Sequence, residues 1–183
     1  MKTVILTGPK HSGKTSAGIA LASLCSCEFI DIDDLILQRT GKSPRQLYSE
    51  GQAVFQKAEA EASAALLGVD GGERRSVIGV DGGEGRRVIA AGGGIIDNEE
   101  ASAVLKKDGA AVVYLNISAE CAWDRIARSG ELPPFLQTEN PRETHRVLHE
   151  RRAAAYSRIA DIVIEAGVKT PREIAEEILS HLN

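Results

Sequence analysis

The stretch that most constrains this chain is Gly8-Pro9-Lys10-His11-Ser12-Gly13-Lys14-Thr15, which stands directly behind the apolar run Val4-Ile5-Leu6. It fits the pattern G-x-x-x-x-G-K-[ST]. A strand that enters a glycine-rich loop and then a helix aims several backbone N–H groups at one point, an arrangement suited to the phosphates of a nucleoside triphosphate. Gly8 and Gly13 allow torsions and close approaches that a Cβ would block. Lys14 can reach the β- and γ-phosphates, and the Thr15 hydroxyl can ligate Mg²⁺. The predicted nucleotide-binding set therefore runs through Gly8, Pro9, Lys10, His11, Ser12, Gly13, Lys14, Thr15 and Ser16, with ATP and Mg²⁺ as the implied ligands.

Behind the loop, Ser16 to Leu24 has the small and apolar spacing of a helix packed on a sheet. Glu28-Phe29-Ile30-Asp31-Ile32-Asp33-Asp34 reads as a short strand ending in carboxylates, completing a β-α-β unit. Parallel strands carry ligand groups at their C-terminal ends, so Asp31 and Asp33 are expected on the side of the phosphate loop. Asp31 is the candidate for Mg²⁺, and Asp33 for receiving a proton from a substrate hydroxyl. The alternative is that these acids merely cap the next helix, a task for which Asp34 is the better candidate. Thr40 to Pro44 breaks the following helix, Pro44 suits the first turn of another, and Ala53 to Leu67 reads as a longer Ala-rich helix. These segments, about 33–67, form the expected acceptor-binding region.

Gly68 to Ile78 and Gly79 to Ile89 match at nine of eleven paired positions. Two copies make a local tandem duplication, since repeat folds need at least about three units. Only the second copy runs into Ala90-Ala91-Gly92-Gly93-Gly94, so Arg87 to Ala91 is the expected core strand and about 68–86 an added surface segment. The three glycines permit backbone to approach a ligand closely, unless they form only a turn into a helix starting near Asp97. Ala110 to Leu115 has buried-strand length, and Ser118 opens a helix through about Arg128. Residues 129–140 have the composition of a lid. Arg142 to Arg158, Asp161 to Ile164 and Pro171 to Leu182 follow as helix, strand and amphipathic helix.

The net charge of −4 gives no basic field for a nucleic acid backbone. The apolar run at the N-terminus is too short for a signal peptide or a membrane span, so a cytoplasmic protein is expected. Size alone suggests a monomer, with the 183 residues forming one domain. Three cysteines argue against a disulfide framework, and Cys25 and Cys27 lack the second pair that a metal site would need.

The loop, then Phe29 to Asp33, Thr40-Gly41-Lys42-Ser43, Gly51 with Phe55 and Glu59, Gly92-Gly93-Gly94, and the tail Arg152-Ala153-Ala154-Ala155-Tyr156 with Ala160-Asp161 resemble the shikimate kinase family in the same order over nearly the whole chain. The resemblance implies an α/β fold, the three-layer P-loop kinase fold with a central five-stranded parallel sheet. It implies transfer of the ATP γ-phosphate to a hydroxyl of a small carboxylate-bearing ring, in the family shikimate to shikimate 3-phosphate in aromatic amino acid biosynthesis. Gly92, Gly93, Gly94, Phe55, Gln56, Asp33 and Arg152 would then meet the acceptor, with Lys14 and Asp33 as the catalytic pair. Arg151 would be the solvent-facing neighbour of Arg152. His11 stands where relatives often carry Gly, which calls for a left-handed residue, and His tolerates that region better than most.

Two positions depart from the family pattern. Phe55-Gln56-Lys57-Ala58-Glu59 has Gln56 where the family's Phe-Arg-x-x-Glu places the Arg that pairs with the substrate carboxylate, and Pro133 stands where the family's lid carries a phosphate-contacting Arg. Losing one partner of a desolvated charge pair costs roughly 2–5 kcal/mol. Arg125, Arg128 and Arg142 are the candidate replacements in the lid region, and Arg128 is assigned to the nucleotide. Three functions stay open: a shikimate kinase, a nucleotide-binding relative that no longer catalyses transfer, and a kinase for another small hydroxy acid, sugar acid or nucleotide.

Overall fold

The computed structural model describes residues 3–66, 87–105, 109–130 and 132–182. Its strands are β1 (Thr3–Thr7), β2 (Glu28–Asp31), β3 (Arg87–Ala90), β4 (Ala110–Asn116) and β5 (Ile162–Glu165). They form one parallel five-stranded sheet in the order β2-β3-β1-β4-β5. The helices are α1 (Lys14–Cys25), α2 (Ile32–Thr40), α3 (Pro44–Glu50), α4 (Gln52–Leu66), α5 (Glu99–Leu105), α6 (Ala119–Arg128), α7 (Pro141–Ile159) and α8 (Pro171–Leu182).

The central strands are apolar through their middles, Val4-Ile5-Leu6, Val88-Ile89-Ala90 and Val112 to Leu115, because both faces are covered, as a parallel sheet requires. Side chains alternate between two cores. Val4, Leu6, Val88, Val113 and Leu115 pack with α1 and α8 through Ala17, Leu21, Ile174 and Ile178. Ile5, Ile89 and Tyr114 face the other way, onto Leu35, Ile36, Leu47, Ile95 and Tyr156. Cys25 and Cys27 are half-buried against the first core.

β1 lies between β3 and β4, so the chain leaves it where the order of connections reverses. Crevices for ligands open at the C-terminal ends of the strands at such a point. The loops after β1 and β3 meet there, joined by Ala91 N–H donating to the Leu6 carbonyl at 3.0 Å.

One local reading is corrected. The second strand stops at Asp31, and Asp31 rather than Asp34 caps α2: its carboxylate accepts from the Asp33 N–H at 3.0 Å. Burying Ile32 against the sheet starts the helix there and leaves Asp33 and Asp34 in its first turn. The helix after the three glycines begins at Glu99, close to the expected start near Asp97. A single 3₁₀ turn, Ile95–Asp97, intervenes, and the Asn98 side chain caps α5 by accepting from Ala101 N–H at 3.2 Å. Ser43 before α3 forms a full capping box with Gln46. The duplicated segment at about 68–86 lies outside the described residues.

Candidate active site

Above the C-terminal ends of β1, β2 and β3 lies a cavity of about 600 Å³. The phosphate loop forms one wall. Gly8 has φ 142°, and a Cβ there would stand 2.7 Å from the Leu115 carbonyl oxygen, so the loop can nestle against β4 only with glycine. His11 takes φ 61° in the left-handed region, as its position in the loop predicted. Ser12 is buried beneath, its N–H donating to the Pro9 carbonyl at 3.2 Å. The Lys14 ammonium donates to the carbonyls of Gly8 at 3.0 Å and Pro9 at 2.8 Å. Burial lowers its pKa to about 8, with the carboxylates of Asp33 and Asp31 pulling the other way. Incoming phosphates would further favour its charged form.

β2 brings the carboxylates to the same mouth. Thr15 Oγ1 donates to Asp31 Oδ2 at 2.8 Å, placing a hydroxyl and a carboxylate side by side at the end of the loop. Asp33 lines the cavity one helical step later. Burial raises its pKa, the Asp31 charge adds to that, and Lys14 and Lys10 oppose it.

The opposite wall is built from Gly92 to Gly94, α3, α4 and α7. Gly93 packs directly on the phosphate loop: a Cβ there would lie 2.8 Å from the Lys10 backbone nitrogen. Tyr156 on α7 donates its hydroxyl to the Gly93 carbonyl at 2.7 Å and stacks on Tyr114. Arg152 reaches the cavity with a 14% exposed side chain, clamped by Asp97 Oδ2 through Nε at 2.8 Å and Nη2 at 2.6 Å. Its guanidinium lies over the Phe135 ring. Arg151 is 61% exposed and also donates to Asp97. Gln56 lines the wall, its amide donating to the Asp97 carbonyl at 3.2 Å. Glu59 is fully buried: Oε2 accepts from Asn98 at 3.1 Å, and Oε1 has no partner. Burial lifts its pKa to about 7.

The fold thus brings Lys10, His11, Gly13, Lys14, Thr15, Ser16, Asp31, Asp33, Phe55, Gln56, the three glycines and Arg152 to one cavity. Gly8, Pro9 and Ser12 of the loop do not line it themselves, and neither does Arg128, which stands on α6. Arg128 is exposed in the last turn of α6, about 4.5 Å of helix rise beyond Arg125. Arg125 is the residue of that helix that lines the cavity, donating to the carbonyls of His11 at 2.8 Å and Gly167 at 2.7 Å. Arg142 borders a separate small cavity beside Trp123 and His145. Asp97, Arg45, Tyr48 and Gln52 also line the main cavity. No motif in the sequence marked them, because they arrive from helices and a turn with ordinary composition.

The shikimate kinase family model matches residues 10–183. The chain belongs to the shikimate kinase family. It is 34% identical to the shikimate kinase of Pseudomonas entomophila (strain L48) over 183 residues, covering all of this chain and 96% of the relative. With the shikimate kinase of Marinomonas sp. (strain MWYL1) it shares 33% over 177 residues, 96% of this chain and 89% of the relative. The fold superposes with a TM-score of 0.84 on the shikimate kinase from Acinetobacter baumannii in complex with shikimate, at 31% identity, covering 100% and 93% of the two chains. A gluconokinase from Sinorhizobium meliloti 1021, 17% identical with a TM-score of 0.61 over 99% and 91% of the two chains, shares the fold alone. Membership makes the chain a phosphotransferase of the kinase class, with ATP as phosphoryl donor. No helix of the described residues is long and apolar enough to cross a membrane.

Proposed function

We propose that the chain transfers the γ-phosphate of ATP to a hydroxyl of shikimate. The observation that carries this reading is that Lys14 and Asp33 line one cavity whose far wall holds Gly92 to Gly94 and Arg152.

The donor set supports Mg²⁺. Thr15 and Asp31 offer hard oxygen ligands side by side, and among the described residues no cluster of three or more His, Cys, Asp or Glu could hold a metal by itself. That suits an ion shared with nucleotide phosphates. Thr15 and Asp31 would hold Mg²⁺, which when bound neutralises phosphate charge.

Each protein group then has a task. The loop amides and Lys14 hold the phosphates. Asp33, made more basic by burial while the charges of Lys14 and Lys10 favour its ionised form, takes the proton of the acceptor hydroxyl. That oxygen bonds to the γ-phosphorus as the bond to the β-phosphate oxygen breaks and ADP leaves. Arg152, oriented by Asp97, offers its remaining donors to the acceptor carboxylate. Gln56 adds an uncharged donor to that wall. The segment at about 129–140 acts as a lid, excluding water that would otherwise compete as acceptor. Its turn Pro134–Leu136 already places Phe135 over Arg152.

Steady-state ADP release with and without shikimate tests this, comparing the wild type with Asp33→Asn. Shikimate-dependent release is expected in the wild type. In the variant it should fall by at least about 10³-fold while the calorimetric Kd for ATP stays within about 2-fold. Shikimate-independent release, or equal loss of binding and turnover in the variant, would refute the assignment.

A further inference from the structure

Among the described residues, five cations line the cavity: Lys10, Lys14, Arg45, Arg125 and Arg152. Arg125 is held in place by two backbone carbonyls, and Arg152 is paired with Asp97 on the acceptor wall. Arg45 stands on α3 beside Tyr48 and Gln52, on the acceptor side. The lid residues that face the cavity, Pro133, Pro134 and Phe135, carry no charge. Phosphoryl transfer depends largely on positioning and electrostatics, because charge spreads over the oxygens of the group in flight. A second cation beside the buried Lys14 would serve that charge.

Lys10 is the loop's other cation. It is exposed, lines the cavity and sits on the loop itself. Its backbone touches Gly93, at the seam where the nucleotide wall meets the acceptor wall. Its charge acts on both Lys14 and Asp33, the groups at the two ends of the transfer path. We propose that Lys10 is a second catalytic cation, its ammonium neutralising the oxygens of the phosphoryl group as it passes from ADP to the acceptor. It takes no part in the proton transfer: the acceptor proton goes to Asp33 and the bonding electrons of the broken P–O bond to ADP. The proposal rests on the kinase reading above.

Lys10→Met removes the charge at nearly constant length, and Lys10→Arg restores it. The expected result is a fall in kcat of roughly 10²–10³-fold for Lys10→Met, with the Kd for ADP within about 2-fold of wild type and Lys10→Arg within about 5-fold of wild-type kcat. Unchanged kcat in Lys10→Met, or an equal loss of ADP affinity and kcat, overturns it. A wild type inert toward shikimate would sink the acceptor assignment alone. Lys10 is then decided by calorimetry of ATP against ADP: loss of the preference for ATP in Lys10→Met supports the role, and an unchanged preference overturns it.

Discussion

Glu59 shows how one substitution reaches its neighbours. Its carboxyl is fully buried on the acceptor wall, and only Oε2 has a partner, the Asn98 amide. Residue 56, one helical step away, is Gln, and its amide points to the Asp97 carbonyl instead of bringing a charge to Glu59. Burial therefore lifts the Glu59 pKa from 4.5 to about 7, with the Asp33 charge adding to the effect. Below 4.5 the group is protonated in both folded and unfolded chains and contributes nothing. Between 4.5 and about 7 the folded chain holds more protons, so stability falls as pH rises, and above 7 the full cost of roughly 3 kcal/mol is present. Glu59→Gln keeps an acceptor for Asn98 and removes the titration. It should stabilise the protein by about 1–3 kcal/mol at pH 8 and by much less at pH 5. Urea melts at the two pH values measure this, and equal effects at both would exclude a buried ionised Glu59.

At the scale of elements, α7 organises the acceptor wall. Within little more than one turn it sends Arg151 and Arg152 to Asp97 and Tyr156 to the Gly93 carbonyl, tying the turn after β3 to the sheet. Arg152 was legible from the sequence because it sits in a tail that resembles the family. Asp97 and Asn98 were not: a single Asp-Asn pair after three glycines looks like an ordinary turn, and only the packing of α4 and α7 on it reveals its partners. The same reason hid Arg125 behind Arg128, since two arginines on one helix differ only in which of them the loop below meets. Tyr156→Phe keeps the stack on Tyr114 but leaves the Gly93 carbonyl without its donor. A loss of about 1–2 kcal/mol is expected, together with a several-fold rise in the KM for the acceptor and no change in the KM for ATP. Parallel changes in both KM values would mean that α7 supports the nucleotide wall as well.

For the whole molecule, the parallel sheet and its helices were readable in advance because apolar runs of strand length alternate with helical spacing, and because one loop pinned the first crossover. The boundaries at Asp31 and Asp97 were less visible, being set by which residue the sheet buries rather than by local propensity. The cavity draws on segments from Lys10 to Arg152, and its central loop leaves β1, which pairs with both β3 and β4. Ligand binding should therefore stabilise the entire cooperative unit and not a local flap. Nucleotide at 100 times its Kd contributes about 2.7 kcal/mol. At roughly 2–4 °C per kcal/mol for a chain of this length, ADP should raise Tm by about 5–10 °C. Lys14→Ala, compared with its own ligand-free Tm at the same ADP concentration, should shift by less than about 2 °C. Calorimetric scans decide the point. A ligand-dependent transition accompanied by a second that ignores ADP would show that the acceptor wall unfolds apart from the loop, and α7 would then have to be a separable clamp rather than part of the frame.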